Sequence, residues 1–249
     1  MLLKKKFGQH LLISSGVLKR LVELCEIKKD EVVLEIGPGT GNLTAELLKT
    51  PLKKLYLLEI DPEMIKILTK KFSDERIVII QGDATTFNFF SLKESALKVI
   101  GNLPYNVASL ILENTIYHKD LILNAFYMLQ KEVAEKLLKI NTSWLSVFLH
   151  TFYDVKYLMG LPSKFFYPRP RVSSAFIKLE RNEKEFIKDL RSYKNFLTRI
   201  FSYKRKMIKQ KLPQGVIENA GISPEKRVDE LELKEFLLLY ASFLQTSYS

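Results

Sequence analysis

The chain of 249 residues contains one cysteine, Cys25, and only three histidines. A single cysteine excludes an intramolecular disulfide framework and any cysteine-based zinc cluster. The histidines, His10, His118 and His150, are scattered without the spacing of metal ligands, so no metal site is expected. Cys25 lies in an apolar helical pattern, which favours a buried, inert thiol over a nucleophile.

Long apolar runs are also missing. No uninterrupted apolar segment approaches the roughly 18 residues that a membrane-spanning helix needs. The basic start at residues 1–6 is not followed by the apolar stretch of a signal peptide. We therefore expect a cytoplasmic protein that has no membrane partner.

Basic residues, in contrast, are in clear excess. The 39 Lys and Arg residues outnumber the 28 Asp and Glu residues, which gives a net charge of +11. This excess favours a polyanionic partner such as nucleic acid. A basic proteome background, or a Lys- and Glu-rich surface of the thermophilic type, would give a similar balance. Charge alone therefore indicates a class of partner but no particular substrate.

Short apolar runs alternate with helical patterns through the first two-thirds of the chain. The runs occupy residues 32–36, 55–58, 77–80, 97–100 and 125–129. This β-α-β-α order predicts an α/β fold with a mostly parallel sheet covered by helices on both faces. Two later runs, at 152–158 and 175–179, are expected to form an antiparallel hairpin at the sheet edge.

From about residue 183 the chain shows helical patterns only. One helix is predicted over 185–211, a short one begins at Ser223-Pro224-Glu225 with proline in its first turn, and another covers 230–245. The sequence thus predicts an α/β domain at residues 1–182 and a small all-helical domain at residues 183–249.

A glycine-rich turn, Gly37-Pro38-Gly39-Thr40-Gly41, follows the first strand and precedes a helix. Glycines here let the backbone approach a ligand at the carboxyl end of the strand, where open α/β sheets bind their ligands. A dinucleotide fingerprint would require Gly or Ala at position 42, which is Asn42. S-adenosylmethionine has no pyrophosphate and does not need that fingerprint, but the turn alone does not identify the nucleoside.

Acids follow the next two strands. Glu59 ends the second strand and can accept hydrogen bonds from both hydroxyls of a ribose, and Asp83 follows the third and can accept from an adenine amino group. Acids after strands are also common as helix N-caps. Glutamate is a poor cap, however, and Asp61 followed by Pro62 is the better cap for the next helix.

The fourth strand ends in Asn102-Leu103-Pro104-Tyr105. An exocyclic amine of a nucleobase is a poor nucleophile, because its lone pair is delocalised into the ring. The amide oxygen of Asn102 and a nearby backbone carbonyl can each accept one amine hydrogen and so return the lone pair to the nitrogen. Proline stiffens the turn, and the Tyr105 ring offers a face for an unstacked base. An ordinary strand-ending turn has a similar composition, but the four strand ends together favour a class I S-adenosylmethionine-dependent methyltransferase.

Over nearly its whole length the chain resembles the ribosomal RNA adenine N6-dimethyltransferases. Residues 7–12 are similar to the family's entrance motif, with His10 in place of the usual asparagine. Residues 35–41 match the cofactor loop, and residues 166–174 match the pattern F-x-P-x-P-x-V-x-S. The resemblance implies a Rossmann-like domain with a mostly parallel seven-stranded sheet, followed by a helical C-terminal domain that binds rRNA.

The resemblance also implies the site residues, with S-adenosylmethionine as cofactor. The cofactor-binding positions are Gln9, His10, Leu12, Gly37, Gly39, Glu59, Ile60, Asp83, Ala84 and Asn102. The catalytic positions are Asn102, Leu103, Pro104, Tyr105 and Phe166. Phe166 is expected to face Tyr105 across a flipped adenine; the alternative is a proline-stiffened loop whose aromatic side chains pack on the core.

The expected rRNA contacts are Arg169, Arg171, Lys204, Arg205, Lys206 and Lys209. The last four lie within residues 199–211, which contain six basic residues and no acid. On the predicted helix Arg205 and Lys209 share a face. A solvated basic face without a ligand is the alternative, and contact with phosphates is favoured by the resemblance.

The activity implied is dimethylation at N6 of two adjacent adenines near the 3′ end of small-subunit (16S) rRNA, by a monomer acting on a pre-ribosomal particle during small-subunit biogenesis. One alternative is a large-subunit rRNA adenine N6-methyltransferase of the antibiotic-resistance type. A DNA adenine methyltransferase and a mainly non-catalytic ribosome-assembly factor are the other two.

Overall fold

The computed structural model describes residues 10–182, 187–203 and 205–247. The strands in these ranges are β1 Leu11–Leu12, β2 Val32–Ile36, β3 Lys54–Glu59, β4 Ile77–Gln81, β5 Leu97–Asn102, β6 Ile122–Gln130, β7 Tyr153–Leu161, β8 Phe166–Tyr167 and β9 Ser174–Arg181. The α-helices are α1 Ser15–Leu24, α2 Asn42–Leu47, α3 Pro62–Lys71, α4 Ala108–Tyr117, α5 Lys131–Leu137, α6 Trp144–Phe152, α7 Leu190–Phe201, α8 Gln214–Asn219 and α9 Leu233–Ser247.

Seven strands form one sheet in the order β4-β3-β2-β5-β6-β9-β7. The five strands from β4 to β6 are parallel to their neighbours, and β9 runs antiparallel to β6. All five early apolar runs of the sequence lie in parallel strands, so the mostly parallel sheet is confirmed. The two late runs also form strands, β7 and β9, which lie side by side at the sheet edge.

The central strands are apolar on both faces, as expected for a sheet that helices cover on both sides. Val33 and Leu34 of β2 and Leu55 and Leu57 of β3 have no exposed surface. The predicted cap of α3 is confirmed, since the Asp61 carboxylate accepts from the backbone N–H of Glu63 at 3.0 Å.

The topology determines where a ligand can bind. The strand order reverses between β2 and β5, because β3 and β4 extend the sheet to one side of β2 whereas β5 and β6 extend it to the other. Open sheets bind ligands outside the carboxyl ends of their strands at such a reversal. The glycine turn, Glu59, Asp83 and Asn102 all lie at this edge of the sheet.

The chain divides into two compact units. One contains the described residues up to 134 together with residues 154–181, and the other contains residues 135–153 and the described residues from 182 onward. The sequence-based division at 182/183 therefore does not agree with the structure over residues 135–153. The reason is α6, a helix that is apolar almost all round and packs into the helical unit, where its Phe148 ring lies 6.0 Å from that of Tyr193.

The helix predicted over residues 185–211 is also corrected. Helix α7 ends at Phe201, and Met207 forms an isolated antiparallel bridge with Arg227. The backbone N–H of Ile208 donates to the Lys226 carbonyl at 2.7 Å, and the Ile208 side chain is completely buried. Backbone pairing of residues 207–208 with 226–227, together with burial of Ile208, thus replaces continuation of the helix, and Arg205 and Lys209 do not share a helix face.

In the part of the chain that the structure describes, no helix is both long and apolar enough to cross a membrane.

Candidate active site

The first unit contains a cavity of about 240 Å³ at the carboxyl ends of β2 to β5. Its walls combine the glycine turn, the acids that follow β3 and β4, and the Asn102–Tyr105 tetrapeptide. The predicted site residues that line it are His10, Gly37, Gly39, Glu59, Ile60, Asp83, Ala84, Asn102, Leu103, Pro104 and Tyr105. The structure therefore brings most of the predicted cofactor and catalytic positions together.

The glycine turn needs glycine for two different reasons. Gly37 and Gly39 have φ angles of +64° and +56°, a region that side chains with a Cβ rarely adopt. A Cβ on Gly39 would lie 2.8 Å from Cδ2 of Leu11, so the Leu11 side chain would have to move to admit one. Around Gly37 the corresponding space is open, which leaves the backbone accessible from the cavity.

Glu59 fixes the glycine turn against the end of β3. Its carboxylate accepts from the backbone N–H of Gly39 at 3.1 Å and from those of Ile60 and Asp61, both at 2.9 Å. Burial raises the pKa of this carboxyl, and the three N–H groups counteract part of the increase. Glu59 is thus a buried hydrogen-bond acceptor at the cavity wall, beside the carboxyl end of β2.

Asp83 lies in a turn that is anchored from α4. Its Oδ1 accepts from the backbone N–H and the hydroxyl of Thr85, at 2.9 and 2.7 Å. The buried Asn114 amide donates to the carbonyl oxygens of Ala84 and Phe87, each at 3.0 Å. Sequence reasoning missed Asn114; the only signal was a polar residue within the apolar pattern of α4.

The Asn102 amide has a fixed orientation. Its Nδ2 donates to the backbone oxygen of His10 at 2.6 Å, and its Oδ1 has no hydrogen-bond partner among the described residues. Leu103 donates its backbone N–H to the Met128 carbonyl at 3.1 Å, and the Pro104 carbonyl accepts from the backbone N–H of Val107 at 3.1 Å. Of the two carbonyls in the turn, that of Leu103 therefore remains available as an acceptor.

Tyr105 is held at its distal end. Its hydroxyl forms a hydrogen bond of 2.8 Å with Oγ of Ser174, which is completely buried at the start of β9. Burial raises the pKa of the phenol, and the contact with Ser174 lowers it in part. The ring stays neutral at physiological pH and presents an aromatic surface to the cavity.

The entrance segment pairs with the loop that contains the F-x-P-x-P motif. Strands β1 and β8 are antiparallel, with Leu12 opposite Phe166. The His10 ring donates from Nδ1 to the Pro168 carbonyl at 2.7 Å and lies 5.7 Å from the Tyr105 ring. His10, which replaces the usual asparagine, thus bridges the tetrapeptide and this loop.

Two of the predicted cofactor and catalytic residues that the structure describes do not line this cavity. Gln9 lies outside the described residues, and Leu12 lines a smaller neighbouring cavity instead. Phe166 is only 3% exposed and packs in the apolar core with Leu12, whereas the next residue, Tyr167, is 64% exposed. Successive residues of a strand point to opposite faces, so pairing with Leu12 turns the Phe166 ring inward. Its contact with a target adenine stays a prediction.

The expected RNA-contacting residues that the structure describes are all exposed. Arg169 donates from Nε to the Ser163 hydroxyl at 3.0 Å. Lys209 forms an ion pair of 2.6 Å with Glu225, so its charge is already partly compensated. Lys204 lies outside the described residues.

The buried carboxyl of Glu35 is expected to make the stability of the protein depend on pH. Its carboxyl accepts from the Thr44 hydroxyl at 2.6 Å and is 2% exposed. Burial, chiefly, raises its pKa from 4.5 to about 8; the Thr44 contact lowers it and the charge of Glu59 raises it. Above pH about 4.5 the unfolded chain loses this proton while the folded chain keeps it up to pH about 8, so stability falls across that window.

We therefore expect Glu35→Gln to match the parent near pH 4.5 and to exceed its unfolding free energy by roughly 4 kcal/mol at pH 8. Denaturant titrations at pH 4.5, 6 and 8 measure this difference. A difference that does not change with pH would contradict the assigned ionisation.

Comparisons with known proteins identify the family. The model of the family described as "Ribosomal RNA adenine dimethylase" matches residues 1–245. Ribosomal RNA small subunit methyltransferase A of Persephonella marina is 43% identical over 248 residues, covering 97% of this chain and 94% of that protein. The resemblance of the sequence motifs to this family is confirmed.

Solved structures agree in fold. A dimethyladenosine transferase from Plasmodium falciparum has a TM-score of 0.83 and 28% identity, covering 96% of this chain and 98% of that chain. The 23S rRNA methyltransferase ErmE has a TM-score of 0.72 at 23% identity, covering 93% and 98%, and this likeness concerns the fold alone. The Rossmann-like class I methyltransferase fold is confirmed. The chain belongs to the ribosomal RNA adenine dimethylase family and is an rRNA adenine dimethyltransferase.

Proposed function

We propose that the cavity binds S-adenosylmethionine and that the enzyme dimethylates N6 of two adjacent adenines near the 3′ end of small-subunit rRNA. The observation that carries the chemistry is the fixed Asn102 amide, whose nitrogen is bonded to the His10 carbonyl while its oxygen has no partner among the described residues. An acceptor in this position suits an exocyclic amine. The choice of the small subunit rests on the Persephonella marina relative, which is named a ribosomal RNA small subunit methyltransferase.

The polar groups that line the cavity fit the cofactor. Glu59 offers buried carboxylate oxygens for the ribose hydroxyls, and Asp83 offers an acceptor for the adenine amino group. The open backbone at Gly37 leaves room for the amino-acid part. When bound, S-adenosylmethionine supplies an electrophilic methyl group on a positively charged sulfur.

The tetrapeptide prepares the nucleophile. Asn102 Oδ1 and the Leu103 carbonyl each accept one hydrogen of the adenine amine, which directs its lone pair away from the ring. Alignment of nitrogen, methyl carbon and sulfur in a site shielded from water contributes most of the rate. The nitrogen becomes acidic once it is methylated, so no strong base is needed. One N–H then remains for the second transfer, and either acceptor can hold it.

Tyr105 provides the stacking surface for the flipped base, since its ring lines the cavity and its hydroxyl is anchored. For Phe166 to form the opposite wall, as the family resemblance implies, its buried ring must turn out of the core when RNA binds. We retain this as a proposal with weaker support than Tyr105.

The helical unit offers a place for the RNA backbone. Tyr203 is 71% exposed, and the Nζ atoms of Lys206 and Lys211 lie 5.2 and 4.8 Å from its ring centroid. Burial, together with the charge of Lys206, lowers the pKa of Lys211. Neither ammonium group is paired with a carboxylate among the described residues. Two uncompensated cations held at one ring suit contacts with two neighbouring phosphate groups of the RNA backbone.

Replacing both Lys206 and Lys211 by alanine is expected to weaken rRNA binding and leave cofactor affinity unchanged. Each lost phosphate contact lowers the slope of log affinity against log salt by about 0.7–0.9, so a total decrease of about 1.5 is expected. Binding titrations at several salt concentrations measure it. The double variant of Lys66 and Lys70, exposed lysines on α3, removes the same charge elsewhere. An equal change in both variants would indicate only a general charge effect.

The function is tested by offering under-methylated small subunits, large subunits and duplex DNA to the enzyme with labelled S-adenosylmethionine. Primer extension then maps the modified adenines on both rRNAs. We expect label only on two adjacent adenines near the 3′ end of the small-subunit rRNA. Label on one adenine of the large subunit would support the antibiotic-resistance alternative, and label on DNA would support a DNA methyltransferase.

We further propose that the enzyme acts as a cytoplasmic monomer on a pre-ribosomal particle and assists small-subunit biogenesis. The Asn102→Ala variant separates catalysis from assembly. If this variant still binds small-subunit particles, an assembly role exists beside methyl transfer.

A further inference from the structure

We propose that Ser174 is a positioning residue that holds the Tyr105 ring in place against the target adenine. This inference rests on the proposed function insofar as Tyr105 is the stacking surface. Ser174 is the final serine of the F-x-P-x-P-x-V-x-S pattern. It lies 69 residues after Tyr105, so only the folded structure joins the two side chains.

The geometry makes Ser174 a rigid support. It is the first residue of β9, in register with Gln130 of β6, and its side chain is completely buried. The neighbouring Ser173 carbonyl accepts from the backbone N–H of Lys131 at 3.0 Å, which extends the pairing by one further hydrogen bond. The serine hydroxyl therefore has a position fixed by the sheet.

Tyr105, in contrast, belongs to the connection between β5 and α4 rather than to the sheet. The backbone turn fixes where its side chain begins, but two side-chain torsions still decide the direction and plane of the ring. A hydrogen bond of 2.8 Å at the phenol oxygen, the atom farthest from the backbone, anchors the far end of the ring axis and so restricts the first torsion, which sets where the ring lies. Stacking on a base requires a ring at a defined position, so this bond prepares the ring before RNA arrives.

Ser173 provides a matched control. It has the same side chain and adjacent sequence position, but it is exposed and forms no side-chain hydrogen bond among the described residues. A functional requirement for serine in this part of the loop would affect both residues. A requirement for the bond to Tyr105 would affect Ser174 alone.

The test is a double-mutant cycle with Ser174→Ala, Tyr105→Phe and the double variant, with Ser173→Ala as control. One neutral hydrogen bond is worth roughly 1–1.5 kcal/mol, or a factor of about 5–12. We expect each single variant to lower kcat/KM for RNA by about 5–12-fold and the double variant to be no worse, because all three lack the same bond. Cofactor Kd should stay close to that of the parent, and Tm should fall only by the few degrees, about 2–6 °C, that the loss of one such bond costs.

A purely structural role would instead lower cofactor affinity together with activity, and would lower Tm by more than those few degrees. That result would overturn the proposal, as would multiplicative effects in the double variant, or a value of kcat/KM for Ser174→Ala within twofold of the parent. The parent is assayed on small subunits, large subunits and duplex DNA, and the cycle uses whichever of these it methylates. The proposed RNA substrate and the proposed role of Ser174 can therefore be rejected independently of each other.

Discussion

Replacing Asn102 by alanine is expected to lower the rate of methyl transfer about 10²–10³-fold, the usual cost of removing one group that stabilises the transition state. The variant loses the Oδ1 acceptor for the adenine amine and the 2.6 Å bond to the His10 carbonyl. Single-turnover transfer of labelled methyl to RNA measures the rate. Cofactor Kd, measured by calorimetry, should rise only moderately, since Glu59, Asp83 and the glycine turn remain.

A second variant, Asn102→Asp, separates the two functions of the amide. The carboxylate keeps an oxygen acceptor, but it has no N–H for the His10 carbonyl. We expect transfer intermediate between the parent and the alanine variant. Near-normal turnover of Asn102→Ala would remove this residue from the catalytic site.

Replacing Glu59 by alanine is expected to raise cofactor Kd about 100-fold or more. The change removes the proposed acceptor of two ribose hydroxyls, and hydrogen bonds to a charged group contribute roughly 1.5–3 kcal/mol each. It also releases the backbone N–H groups of Gly39, Ile60 and Asp61. Isothermal calorimetry measures Kd, and kcat at saturating cofactor should fall much less.

Glu63→Ala serves as the control for this prediction, because Glu63 is an exposed acid in the first turn of α3. It removes the same charge four residues away and should leave Kd within about twofold. An unchanged Kd for Glu59→Ala would exclude Glu59 from the ribose site.

The sequence was sufficient to locate the site because parallel strands end at one edge of the sheet. Glu59, Asp83 and Asn102 each follow a short apolar run, and alternation of these runs with helical patterns predicts a parallel sheet. Their convergence at one cavity then follows from topology, without knowledge of any individual contact.

The contacts that support the site could not be predicted from the sequence, because they join segments that are distant along the chain. Ser174 lies 69 residues from Tyr105, and Asn114 lies 30 residues from Ala84. Neither position has a local signal that distinguishes it from an ordinary polar residue. The motif containing Ser174 was recognised, but the role of its serine required the structure.

The helix boundaries predicted for the C-terminal part are wrong for a related reason. Residues 199–211 are compatible with a helix by local preference, but backbone pairing of residues 207–208 with 226–227 and burial of the Ile208 side chain outweigh that preference. Helix α6 was likewise assigned to the wrong unit, since an apolar segment does not indicate which core receives it. Tertiary packing overrides local propensity in both cases.

The most direct test of the central claim is to identify the methylated nucleoside. RNA modified with labelled S-adenosylmethionine is digested and its nucleosides are resolved by mass spectrometry. A site in which Asn102 Oδ1 and the Leu103 carbonyl hold an exocyclic amine predicts N6,N6-dimethyladenosine carrying two labelled methyl groups. Label on a ring nitrogen or carbon of adenine, or on another base, would contradict it.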